Sequence, residues 1–171
     1  MQLTGKQIVN QGIINGVCPE GIQQQGVDVR VSNIRVVRAT DDAYGFIPAQ
    51  GKTTLPDTSM NVGTIYDFQR TFWSLEPGYY EVEFEESCKI PANCAMYFKT
   101  RSSLVRCGAE IRSGQFDGGF ETEKMGAFLK VELPIRIEVG ARVAQAIVTE
   151  TYPVDVENLY NGQWQNDKQK Q

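Results

Sequence analysis

Gly78-Tyr79-Tyr80-Glu81-Val82-Glu83-Phe84-Glu85 decides the fold class. Tyr80, Val82 and Phe84 alternate with three glutamates, and only an extended chain sends alternate residues to opposite faces. A helix would spread the same carboxylates around its circumference. The period of two recurs on both sides of this segment. Val27, Val29 and Val31 alternate with Asp28, Arg30 and Ser32, and Ile135, Ile137 and Val139 alternate with Arg136 and Glu138. Each run predicts a strand with one buried face and one wet face. Asp28 is expected to pair with Arg30 or another surface cation. Pro77-Gly78, Pro91, Gly118-Gly119, Pro134 and Gly140 supply the turns.

Upstream of the strands the pattern differs. Thr4-Gly-Lys-Gln7 has the form of a capping box, so a short helix starts there and ends at Gly12 or Gly16. Residues 40–75, rich in Asp, Gly, Thr and Pro, suggest a long hairpin or irregular loop. The Gln- and Lys-rich end from about 161 to 171 lacks apolar periodicity and reads as a mobile tail. No internal repeat is visible. The expectation is a single domain over 1–171, with a helical region in 1–16 followed by an all-β barrel or distorted jelly roll.

Composition narrows the chemistry. A chain of 171 residues can bury a core without disulfide staples. The net charge of −4 argues against a general nucleic-acid binder, because affinity for phosphate backbones comes from clustered Lys and Arg. No run is long and apolar enough to cross a membrane, and no leader pattern opens the chain, so the expected location is cytoplasmic. Histidine is absent. That removes Ser-His-Asp and Cys-His catalysis and leaves proton transfer to Asp, Glu, Lys, Tyr or held water. Cys18, Cys88, Cys94 and Cys107 show no metal-binding spacing and read as ordinary thiols.

Two motifs carry candidate chemistry. Arg101-Ser-Ser-Leu-Val-Arg106 brackets two hydroxyls with two planar cations, a set suited to gripping a phosphate chain. Asp117-Gly-Gly-Phe120 places a carboxylate and an aromatic on a glycine hinge, able to meet a sugar and orient a water.

With their flanks, these motifs resemble the dCTP deaminase and dUTPase superfamily along nearly the whole chain. Leu3-Thr-Gly-Lys-Gln-Ile8, Gln25-Gly-Val-Asp-Val-Arg30, Leu75-Glu-Pro-Gly-Tyr-Tyr-Glu-Val82 and Ile90-Pro-Ala-Asn93 precede the phosphate motif in the family's order. Gly140-Ala-Arg-Val-Ala-Gln145, Tyr152 and Tyr160-Asn-Gly-Gln163 follow it. The resemblance implies a homotrimer with sites between subunits, binding a deoxynucleoside triphosphate with Mg²⁺ carried on its phosphates and waters rather than on protein ligands. Arg101, Ser102, Ser103 and Arg106 would face the phosphates, and Gln145 would bond a phosphate or brace the wall. Asp117 would contact the sugar hydroxyl and orient water, with Phe120 packed on the deoxyribose. Tyr152, Tyr160 and Gln163 belong to the closing segment, with Gln163 near the base or phosphates.

The two activities of the family make different demands. The deaminase branch resembled here has a glutamate ten positions beyond the hairpin aspartate, where this chain has Ala127. A methyl cannot shuttle protons, and substitution by Glu123 or Glu132 would need a register shift or bulge. The segment between Arg106 and Asp117 is also short for a deaminase, and Leu159 stands where that branch has lysine. Hydrolysis of dUTP to dUMP and pyrophosphate needs only in-line water attack on the α-phosphate, aligned by a carboxylate. The expectation is therefore a dUTP diphosphatase. Its alternatives are a dCTP deaminase, mono- or bifunctional, and a catalytically silent nucleotide-binding regulator.

Overall fold

The computed structural model describes residues 1–38 and 44–165, without the side chains of 57–59. Helix α1 (Gly5–Asn10) starts on the predicted capping box. The Thr4 hydroxyl accepts the Gln7 N–H at 3.3 Å, and the Gln7 side chain accepts the Thr4 N–H at 2.9 Å. It ends at Gly12 in a Schellman arrangement, with Gly12 donating to Val9 and Ile13 to Ile8.

The strands are β1 (Ile14–Asn15), β2 (Ile22–Gln23), β3 (Gly26–Arg38), β4 (Asp57–Asn61), β5 (Ile65–Asp67), β6 (Arg70–Leu75), β7 (Gly78–Phe84), β8 (Ser87–Lys89) and β9 (Cys94–Thr100). A helical turn, α2 (Ser102–Arg106), then precedes β10 (Ala109–Arg112), β11 (Glu121–Thr122), β12 (Gly126–Val131), β13 (Ile135–Glu138) and β14 (Arg142–Glu150). One eight-stranded sheet dominates, in the order β10-β12-β7-β3-β14-β9, with β2 and β4 added to β3. Its ends meet through a hydroxyl instead of a strand ladder. Thr100 Oγ1 accepts the Ile111 N–H at 2.9 Å and donates to the Ile111 carbonyl at 3.2 Å, so the sheet is nearly closed into a barrel. Smaller sheets β1-β8-β11 and β13-β6-β5 flank it.

Strand β3 is long, at 13 residues, and serves two halves of the barrel. Its first part pairs with β14, placing Asp28 opposite Gln145, and its later part pairs with β7. Of the two pairings expected for Asp28, the one with another cation forms and the one with Arg30 does not. Arg30 turns to Glu85 and Glu86, while Asp28 meets cations near the other end of the sheet. Residues 44–75 are also more ordered than a loop, because β4 extends the main sheet and β5 and β6 form a hairpin. The core gathers alternate residues from both halves, including Val27, Val29, Val82, Phe84, Leu129 and Val148. Each such side chain, removed from water, contributes about 1.5–3 kcal/mol. All four cysteines are free.

Candidate functional site

The structure divides the predicted residues between two clefts. The first, of about 540 Å³, is lined by Arg101, Ser102, Arg106 and Gln145, with Gln23, Asp28, Lys99, Thr100 and Val105. The predicted phosphate motif forms a helical turn. Leu104 plugs the core and so turns Ser102, Val105 and Arg106 outward. Ser103 is exposed but does not line the cleft.

Asp28 organises this cleft although its side chain is almost wholly buried, at 4% exposed. One of its oxygens meets Arg101 Nε at 3.2 Å and Arg142 Nη1 at 3.5 Å. Arg101 also donates to the Arg142 carbonyl at 2.9 Å, and Arg142 donates to the carbonyl of Glu20. Part of the Arg101 fork is therefore committed within the chain. Arg106 and Lys99 carry no ion pair among the described residues, so they are the cations left for an anion. Burial raises the Asp28 carboxyl above its ordinary range, and the two guanidiniums offset only part of that rise.

The second cleft, of about 510 Å³, holds Asp117, Phe120, Tyr160 and Gln163, and shares no lining residue with the first. Its hairpin needs both glycines. A Cβ on Gly118 would lie 3.0 Å from the Ala92 carbonyl, and Gly119 adopts φ +94° with Leu159 pressed against it. Phe120 sits in an edge-to-face series from Phe98 through Phe116 to Tyr160, with centroids 5.1–5.4 Å apart. Ala127 lines this cleft with a methyl group, whereas Glu123 and Glu132 are exposed outside it. Its carboxylates are Asp117 and Glu81, the latter 3.6 Å from Arg35.

The closing segment lies on this same hairpin. Tyr160 N–H donates to Gly118, and the Gln165 amide spans Gly119 and Glu121. Gln163 instead reads the main chain of Thr53, accepting its N–H at 3.1 Å and donating to its carbonyl at 2.9 Å. Tyr152 is 95% exposed and joins neither cleft. The rest of the expected mobile tail, 166–171, lies outside the described residues. Sequence reasoning missed Arg142, Glu81 and Lys99 as site residues. Cross-strand register places Lys99 and Asp28 beside Gln145, and no local pattern reports that.

The chain is thus a nearly closed antiparallel barrel with a cationic cleft at one place and a carboxylate–aromatic hairpin cleft at another. Residues 3–151 match the family model described as dCTP deaminase-like, and the chain belongs to that family. It is 31% identical over 169 residues to a protein of Aeropyrum pernix named probable deoxyuridine 5'-triphosphate nucleotidohydrolase, covering 98% of this chain and 99% of that one. A Methanocaldococcus jannaschii protein named deoxyuridine 5'-triphosphate nucleotidohydrolase is 34% identical over 145 residues, covering 84% and 86%. Among solved structures, the 2'-deoxycytidine 5'-triphosphate deaminase of Agrobacterium tumefaciens shares the fold, with a TM-score of 0.60 at 17% identity. That match covers 86% of this chain and 47% of the deaminase.

Proposed function

We propose that the chain is a dUTP diphosphatase, hydrolysing dUTP to dUMP and pyrophosphate. One observation carries the choice within the family: Asp117 lines the hairpin cleft, while the lining residue ten positions beyond it is Ala127, which carries no acid. The names of the relatives from Aeropyrum pernix and Methanocaldococcus jannaschii point the same way. In this reading Arg106, Ser102 and Lys99 hold the triphosphate, Arg101 is kept in place by Asp28, and Gln145 braces the wall. Phe120 supports the deoxyribose, and Asp117 aligns the water in line with the α-phosphate.

The two clefts have no residue in common. The family resemblance implies a homotrimer with shared sites, and in it the two clefts would be contributed by different chains. Mg²⁺ would be carried on the substrate phosphates and waters, as the family resemblance implies. The amide oxygens of Gln23 and Gln145 would meet its water shell, and the ion would neutralise phosphate charge when bound. No helix among the described residues is long and apolar enough to cross a membrane, and a cytoplasmic location suits a nucleotide substrate.

The test is direct. Purified protein with Mg²⁺ is given dUTP or dCTP, and pyrophosphate and ammonia are measured. Pyrophosphate from dUTP without ammonia from dCTP is expected. Ammonia from dCTP would overturn the proposal in favour of deamination, for which Glu81 is the remaining carboxylate of the hairpin cleft. Tight binding without either product would identify a regulator.

A further inference from the structure

We propose that Gln115 is a positioning residue that holds the Asp117 carboxylate in its working rotamer, an inference that rests on the hydrolase reading above. Phe116 is pinned on both sides of its peptide, donating to the Met96 carbonyl at 2.7 Å and accepting the Met96 N–H at 2.9 Å. Its ring packs inward between Phe98 and Phe120. In an extended segment the residues on either side then emerge together on the opposite face. Gln115 and Asp117 do so, and Gln115 Nε2 donates to Asp117 Oδ1 at 2.8 Å. A carboxylate only accepts, so the amide nitrogen must be the end that faces it.

Asp117 is exposed and stands before two glycines, so packing does little to fix its side chain. Among the described residues no other side chain bonds it. The amide therefore commits Oδ1 and leaves Oδ2 to meet water, both residues lining the hairpin cleft. A carboxylate without that anchor divides its time among rotamers, only one of which aligns the water.

Gln115→Met keeps the length and removes the donor, Gln115→Glu adds a repelling carboxylate, and Gln115→Lys restores a donor. With dUTP, Gln115→Met is expected to lose roughly tenfold in kcat with KM changed less than about twofold. Gln115→Glu should lose more, and Gln115→Lys should recover most of the rate. All three should keep the wild-type melting temperature, since the site is exposed. An unchanged kcat in Gln115→Met, or a raised KM alone, would overturn the inference. Asp117→Asn is run in parallel. Full turnover in that variant would remove the hydrolytic role of Asp117 itself, whereas an inactive Asp117→Asn beside a fully active Gln115→Met sinks only the role of Gln115.

Discussion

Subunit complementation is the sharpest test of the proposed trimer with shared sites. Arg106→Ala damages only the cationic cleft, and Asp117→Asn only the hairpin cleft. The closing segment travels with the hairpin of its own chain, through Tyr160 and Gln165, so it follows the second half. Each variant alone is expected to be inactive. In trimers mixed at random from equal amounts, a site is intact when an undamaged cationic half meets an undamaged hairpin half. Each half is sound in half of the subunits, so about one quarter of wild-type activity should return. The two variants are co-expressed with different tags, purified through both, and assayed for pyrophosphate release from dUTP. Selection through both tags discards pure trimers and raises the yield moderately. Arg106→Ala with Gln145→Ala serves as the control, because both lie in the cationic half and should not complement. Doubly tagged trimers without activity would refute the shared site, and so would equal recovery in the control pair.

Other consequences concern stability and reactivity. Glu86 is fully buried and held by Arg30 through its main-chain N–H at 2.9 Å and its Nε at 2.8 Å. Arg30→Met should cost about 3–5 kcal/mol in urea denaturation, because a buried carboxylate then lacks its cation. A loss under about 1 kcal/mol would show that the pair is dispensable. Asp28 has a raised pKa in the fold, so its contribution is full below the ordinary 3.8 and is lost as pH climbs through the raised value. The stability of the wild type relative to Asp28→Asn should therefore shrink with rising pH across that window, measured by urea midpoints; a growing difference would contradict the burial argument. Cys107 is exposed while Cys88 and Cys94 are buried, and burial with the nearby Glu150 pushes the Cys94 thiol up. Ellman's reagent should find its fast thiol at Cys107, removed in Cys107→Ser, and reach Cys88 and Cys94 only in denaturant.

Much of the architecture was legible in local pattern. The capping box at Thr4 and the alternation through Val27, Tyr80 and Ile135 report on neighbours one to four residues away, and the helix and strands follow from them. Residues 44–75 were less legible because β4, β5 and β6 are short and β5 is exposed throughout, so apolar alternation is weak there. The site motifs could be recognised as residue sets, yet their partners could not. Ser103 belongs to the motif but faces away from the cleft because α2 is a helical turn anchored by Leu104. Gln163, expected near the base or phosphates, meets the Thr53 main chain with its amide.

Residue type and short-range spacing alone specified a β-rich chain with a capped helix at its start, an arginine–serine motif suited to phosphate, a hairpin carboxylate, and alanine ten positions beyond it. Those properties depend on residue type and short-range period. Only the tertiary structure decided that Asp28 is buried between Arg101 and Arg142, and that the barrel closes through the Thr100 hydroxyl. It alone separated the phosphate motif from Asp117 into two clefts. Strand register and barrel closure set such long-range placements, and they arise from the packing of many segments at once, which no local spacing encodes.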